Sequence, residues 1–363
     1  MKISAVFGTR PEVVKLAPVF WALDGHVQTI HTGQHTSDAM ARDLWTLLEI
    51  GEPDIVLELD GSERGAKIGE AVARVGEVFD AARPDVVVVQ GDTDSTLAGA
   101  LAASVRSIPI VHVEAGLRSY DRAMPEERNR VVVDHLADLC CAPTETSAAQ
   151  LRSEGVDARQ IIVTGNTVVD AALRMMPGPK RTAEIVRSFG LAHDQFVLST
   201  LHRAENVDDP VHLRAIIDEL RTLPMPVLLP VHPRTATRAR DFGITLDEGA
   251  VRCVEPLAYD VFLALESACA LLITDSGGVQ EEASIVKRPV LVVRTSTERP
   301  EIMGTFATLT PPGARLGTIV AEWARDIGER RVALERQPCP FGDGAAGQRV
   351  AEVIHSLVGA AGA

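Results

Sequence analysis

Several classes of protein are excluded by what this sequence lacks. None of its five cysteines, Cys140, Cys141, Cys253, Cys269 and Cys339, belongs to a CxxC pair, and all lie in or beside apolar stretches. A structural zinc site or a disulfide framework is therefore not expected, and a reducing cytoplasm fits best. No apolar run approaches the roughly 18 residues needed to span a membrane. The opening stretch from Met1 to Phe7 reads as a strand entering a polar turn, without the long apolar core or small-residue cleavage site of a secretory leader. Positive charge is not in excess either: 36 Lys and Arg stand against 50 Asp and Glu, a net charge of −14, which argues against nucleic acid as a partner. The first strand turn carries no GxGxxG fingerprint, so dinucleotide binding gains no support. The 363 residues describe a soluble globular chain, long enough at roughly 100 to 200 residues per domain for two domains.

Short β-branched runs alternate with helical patterns along the whole length. Strands are expected from Ile3 to Phe7, Val27 to His31, Val86 to Gln90 and Pro109 to Val113, and again from Phe196 to Thr200, Val227 to Val231, Ala270 to Thr274 and Pro289 to Val293. Such alternation signifies βαβ units on parallel sheets, and continuous apolar runs signify strands covered on both faces. The cluster Met175-Met176-Pro177-Gly178-Pro179-Lys180 is the clearest break, and places a domain boundary between Asn166 and Lys180. The fold class is α/β, with two doubly wound domains facing each other. In open α/β sheets ligands sit beyond the carboxyl ends of the strands, so the residues just after each strand are where chemistry should be sought.

In the first domain, Gly8-Thr9-Arg10-Pro11-Glu12 follows the first strand, and Arg10 and Lys15 are candidate phosphate ligands near a helix N-terminus. Gln90-Gly91-Asp92-Thr93-Asp94 follows the next, where an N-cap is expected for one of Asp92 and Asp94. A third strand delivers His112-Val113-Glu114-Ala115-Gly116, with His112 and Glu114 on one face. Met124-Pro125-Glu126-Glu127 then opens a helix. Three carboxylates near strand ends in one domain are more than capping requires.

In the second domain, His202 ends a strand ahead of a polar loop and is a candidate for acid/base work or phosphate binding, while His232 ends another strand and stays open. Asp275-Ser276-Gly277-Gly278-Val279-Gln280-Glu281-Glu282 reads as a strand, a small-residue turn and a helix start. That order makes an anion site, with Gly277 and Gly278 permitting close approach of the backbone and Glu282 placed to accept ribose hydroxyls.

These motifs, together with Pro143-Thr144-Glu145, Gly165-Asn166-Thr167, His202-Arg203 and Thr297-Glu298-Arg299-Pro300-Glu301, occur in the order and spacing of the UDP-N-acetylglucosamine 2-epimerases, and the chain resembles that family over nearly its whole length. The resemblance implies two Rossmann-like domains of the type B glycosyltransferase fold with an interdomain active site. Residues 1–168 would form the first domain, 169–345 the UDP-binding second, and a C-terminal helix at 346–363 would pack back on the first. It implies a UDP-sugar substrate, a homodimer, no redox cofactor and no metal. It also implies reversible C2 epimerisation of UDP-N-acetylglucosamine by elimination and re-addition of UDP through 2-acetamidoglucal. Residue by residue, Asp92, Glu114 and Glu126 match the acid/base carboxylates, and His202 the group at the glycosidic oxygen or diphosphate. UDP would lie on Arg10, Ser276, Gly277 and Gly278, with Glu282 on the ribose, Lys15 and Arg299 nearby, and Leu257 and Phe262 lining the uracil pocket.

The chain also departs from the pattern. Regulated bacterial members carry Gln-His-x-x-Met at a second, activating site, whereas Gln34-His35 is followed here by Thr36-Ser37-Asp38-Ala39-Met40, with Met two positions late. Allosteric activation is not expected, and His232, which matches a position near that site, would be a structural remnant. Ile302-Met303-Gly304-Thr305-Phe306 is shorter than the usual Ala-Val-x-x-Gly-Thr, and Cys339-Pro340-Phe341-Gly342-Asp343-Gly344 stands where Asn-Pro-Tyr-Gly-Asp-Gly is common. The alternatives are a hydrolysing relative that releases N-acetylmannosamine, a 2-epimerase of a modified UDP-sugar such as a 2,3-diacetamido uronic acid, a glycosyltransferase of the same fold, and a non-catalytic sensor.

Overall fold

The computed structural model describes residues 1–23, 27–33, 44–312 and 315–361. The Gln34 to Met40 motif lies outside the described residues. The chain forms two compact units, Met1–Ala171 with Phe341–Ala363, and Ala172–Pro340.

The first unit is built on a seven-stranded sheet in the order β3-β2-β1-β4-β5-β6-β7, with every pairing parallel. Its strands are β1 (Ile3–Phe7), β2 (Val27–His31), β3 (Ile55–Val56), β4 (Val86–Gln90), β5 (Ile110–Val113), β6 (Leu139–Ala142) and β7 (Ile161–Val163). The central pair, β1 and β4, is buried at every residue, as the unbroken runs Ile-Ser-Ala-Val-Phe and Val-Val-Val-Val-Gln require of strands covered on both faces. The helix Arg10–Ala22 begins with Pro11 in its first turn, where a missing N–H costs nothing. The helix Asp94–Ser104 is capped by Thr93, whose hydroxyl accepts from the Thr96 amide at 3.1 Å. Neither Asp92 nor Asp94 is the cap, because the hydroxyl at Thr93 already holds that position and both carboxylates are taken by cations instead. The last helix, Ala346–Ala361, packs against Arg10–Ala22. Asp170 accepts from its Ala346 and Gly347 amides at 3.2 and 2.8 Å. A Cβ on Gly347 would come within 2.5 Å of the Pro18 carbonyl oxygen, so only glycine lets the two helices approach this closely.

The second unit holds a six-stranded parallel sheet in the order β10-β9-β8-β11-β12-β13, from β8 (Val197–Thr200), β9 (Val227–Pro230), β10 (Val251–Val254), β11 (Leu271–Thr274), β12 (Val290–Val292) and β13 (Ala307–Leu309). Its core joins Ile216, Ile217 and Leu220 of a covering helix to Val227, Leu229, Leu271 and Ile273 of the sheet. The eight expected strands are all present, and β3, β6, β7, β10 and β13 join them.

In each unit the chain lays its first three strands outward to one side and then returns to the other side of the first strand. The reversal falls between β1 and β4 in one sheet and between β8 and β11 in the other. At such a seam the loops leaving the carboxyl ends part in opposite directions and open a crevice for ligands.

Candidate active site

Arg10, Asp92 and Glu114 follow β1, β4 and β5, three adjacent strands, so the topology brings them to one edge of the first sheet. Asp92 accepts from the Arg130 guanidinium, with Nε at 3.1 Å and Nη2 closer, and its side chain remains 28% exposed. The same Arg130 donates to Glu127 at 2.7 Å. Asn129 donates to the Asp92 carbonyl at 2.9 Å and to Asp94 at 3.0 Å. Glu127 also accepts the Ser119 and Tyr120 amides, each at 2.9 Å, which turns it inward and leaves its neighbour Glu126 half-buried.

Glu114 is buried and sits at φ +68°, in the left-handed region that a side-chain-bearing residue seldom adopts. Strain of this kind, worth of order 1–3 kcal/mol, persists where the surroundings over-determine the backbone. Here they do so through the side chain. Lys15 Nζ donates to both carboxylate oxygens at 2.7 and 2.6 Å, and the Gln90 amide donates to Oε2. The Lys15 side chain is 9% exposed and that of Glu114 5%, so the pair is nearly dry. Lys15, expected near the diphosphate, thus holds one of the expected acid/base carboxylates. Beneath the edge, buried His112 bridges the Asp134 carboxylate at 2.7 Å and the Gly91 carbonyl at 2.8 Å. It ties the turn carrying Asp92 to the strand leading to Glu114.

Glu12 was not anticipated as a site residue. It is buried and accepts from the Gly8 amide at 3.1 Å and from the hydroxyls of Thr9 at 2.8 Å, Thr93 at 2.8 Å and Thr96 at 3.2 Å. Burial outweighs these donors and pushes its carboxyl up to about 7. Burial also lowers the Arg10 guanidinium from its ordinary value.

In the second unit the helix Gly277–Val286 starts at Ser276, and its first amides have no intrahelical acceptor. A Cβ on Gly277 would meet Glu298 Oε1 at 3.1 Å and Arg299 Cζ at 3.3 Å, a tight fit to which those two side chains would have to yield. Around this turn three arginines gather on two glutamates. Arg299 donates to Glu281 at 2.8 Å and contacts Glu298 at 3.0 Å, Arg294 donates to Glu298 at 2.6 Å, and Arg203 reaches it at 3.2 Å. Glu282 is buried and accepts the Tyr259 hydroxyl at 2.8 Å. Leu257 and Phe262 flank the start of the helix Tyr259–Ala268, both half-buried.

His202 follows β8, beside the end of β11, and its ring is 35% exposed. Its Nδ1 lies 3.2 Å from Asp275 Oδ1, and its ring centroid 5.4 Å from that of His232. His232 Nδ1 accepts the Arg234 amide at 3.2 Å and so caps the helix Pro233–Asp241. Asp275 and Tyr259 are the partners that sequence reasoning did not single out. For Asp275 the signal was available: an acid immediately after an apolar strand, on the strand neighbouring that of the histidine.

Two parallel doubly wound sheets, each with polar and charged groups collected at its carboxyl edge, define an α/β enzyme of the type B glycosyltransferase fold class. The model of the UDP-N-acetylglucosamine 2-epimerase family matches residues 23–355. The UDP-N-acetylglucosamine 2-epimerase of Methanocaldococcus jannaschii is 37% identical over 98% of this chain and 99% of its own. The UDP-2,3-diacetamido-2,3-dideoxy-D-glucuronate 2-epimerase of Pseudomonas aeruginosa is also 37% identical, over 98% of this chain and 100% of its own. The crystal structure of the M. jannaschii enzyme in complex with UDP-GlcNAc and UDP superposes with a TM-score of 0.85, covering 98% of this chain and 100% of that one at 37% identity. The chain belongs to the UDP-N-acetylglucosamine 2-epimerase family. Among the described residues no helix is long and apolar enough to cross a membrane.

Proposed function

We propose that this protein interconverts UDP-N-acetylglucosamine and UDP-N-acetylmannosamine by reversible inversion at C2. The observation that carries the reading is the placement of Asp92 and Glu114 at the adjoining ends of β4 and β5, one half-exposed and one buried against Lys15. Removing a weakly acidic carbon-bound hydrogen and returning it to the opposite face requires two differently placed proton carriers, each worth about 10² to 10⁴ in rate. A carboxylate takes the C2 proton, the C–H electron pair forms the C1–C2 double bond, and the C1–O pair leaves with UDP. Reprotonation from the other face and re-addition of UDP at C1 complete the inversion. Glu126 is the third carboxylate assigned to this work. His202 attends the leaving oxygen, and Arg10, the Ser276-Gly277-Gly278 turn and Glu282 hold the nucleotide, with Arg299 nearby and Leu257 and Phe262 at the base; Lys15, expected near the diphosphate, is engaged with Glu114 instead.

The equal identity to the diacetamido-uronate enzyme supports a second reading, a substituted UDP-sugar as the natural substrate. The free cysteines among the described residues fit a reducing cytoplasm, and family membership supports a homodimer. Incubation with UDP-GlcNAc in D2O, followed by NMR, tests the assignment. Deuterium at C2 with the anomeric carbon still bound to UDP is the expected result. Free sugar would make the protein a hydrolase, and no exchange with UDP-GlcNAc but exchange with a diacetamido uronate would establish the second reading.

A further inference from the structure

Asp275 occupies the seam of the second sheet. Its side chain is wholly buried, yet four hydrogen bonds from three amide donors converge on it: the His202 amide at 3.1 Å to Oδ1 and 3.0 Å to Oδ2, the Arg203 amide at 2.9 Å, and the Asn206 side-chain amide at 3.0 Å; the His202 ring faces it with Nδ1 3.2 Å from Oδ1. Asn206 is itself fixed by the Val293 carbonyl at 2.8 Å. Burial alone would raise the Asp275 carboxyl, but the His202 ring, the Asn206 amide and the Arg203 amide outweigh it and hold it below the usual carboxylate range. An ionised carboxylate only accepts. A carboxylate 3.2 Å from Nδ1 favours a proton on that nitrogen, which leaves Nε2, on the other side of a ring that is 35% exposed, to exchange a proton.

We infer that Asp275 is the positioning residue for His202: it fixes the ring orientation and the Nδ1–H tautomer, and so presents Nε2 to the diphosphate oxygen that departs from C1. The inference rests on the role proposed for His202 above. A second contact supports it. His232 lies against His202 with its own Nδ1 committed as an acceptor to the Arg234 amide, so that nitrogen carries no proton and cannot compete for Asp275. The relation is that of a base oriented by a third, buried group.

The ¹⁵N spectrum of the unmodified protein, labelled at histidine and assigned with His202→Gln, should give the Nδ1–H signature for His202; an Nε2–H tautomer would overturn the inference without any variant of Asp275. Kinetics give an independent arm. Asp275→Asn should lower kcat by about 10² or more with KM within several-fold, and in a His202→Gln background it should lower kcat no further. A comparable loss in both backgrounds would make Asp275 merely structural. If His202→Gln alone leaves epimerisation of UDP-GlcNAc unchanged, it is the assignment of His202 that falls, whatever the tautomer.

Discussion

Glu12 accepts the Thr93 hydroxyl at 2.8 Å across the seam where β1 adjoins β4. It is the first sheet's counterpart of Asp275 and His202, an acid leaving one central strand that takes hydrogen from the turn after the other. The two differ in charge. Asp275 is kept ionised by backbone and side-chain N–H donors and the His202 ring, whereas Glu12 has hydroxyls and one amide and is pushed up to about 7.

The pH dependence of stability follows with a definite sign. Between the ordinary carboxyl value of 4.5 and the folded value of about 7, the native state keeps a proton on Glu12 that the unfolded state has lost. The contribution of Glu12 is fully present below 4.5 and is lost as pH rises to about 7, on the order of 3 kcal/mol. Denaturant midpoints of the wild type should fall across that window, and those of Glu12→Gln should fall less. Identical slopes would remove Glu12 as the source.

Asp92→Asn, Glu114→Gln and Glu126→Gln should each lower turnover by at least about 10², while calorimetry finds UDP affinity within several-fold. Wild-type turnover in any one of them would take that residue out of the proton-transfer step.

Lys15→Met should cost about 3–5 kcal/mol of stability, because it leaves the Glu114 carboxylate buried without its cation. Adding Glu114→Gln should recover part of that loss, although both positions have then been altered. Additive losses in thermal melts would show that the two side chains do not form an ion pair in solution.

Glu266 is fully buried, neither of its carboxyl oxygens has a hydrogen-bond partner among the described residues, and burial followed by the nearby Glu282 raises its carboxyl well above the ordinary value. Glu266→Met should stabilise the protein by about 1–3 kcal/mol, since it removes an unsatisfied buried polar group at little change in volume. A lower melting temperature would indicate a partner for this carboxyl in solution.

Regulation is expected to be weak or absent. With Met40 two positions late and His232 engaged as a helix cap, UDP-ManNAc alone should be converted from time zero, and the forward reaction should give a hyperbolic rate curve. Coupling should fall below the 1–3 kcal/mol typical of allosteric pairs. A lag abolished by trace UDP-GlcNAc would show a working second site.

Strands covered on both faces were legible where burial demands an unbroken apolar run, as from Val86 to Val89, and the half-exposed Val27–His31 was legible from its β-branched residues. Those that escaped did so for separate reasons. Ile55–Val56 is two residues long, Leu139-Cys140-Cys141-Ala142 has no strand-forming bias, and Val251-Arg252-Cys253-Val254 puts an exposed arginine in its middle. At the site, strand ends located Asp92, Glu114 and His202, but not what holds them. Lys15 and Glu114 are 99 positions apart, Asp275 and His202 73, and Glu12 and Thr93 81. Pairings at such separations are decided by strand order, which no local pattern encodes.

The helix Ala346–Ala361 covers the helix Arg10–Ala22, so a segment made before the second unit waits for one made after it. All of Ala172–Pro340 is made in between, which at about 5–20 residues per second takes roughly ten to thirty seconds. The second unit is thus an insertion within the first, and can fold as one continuous stretch while its host is still missing a helix. Messages truncated after residue 340 should therefore yield a product whose second unit resists brief proteolysis and whose first does not.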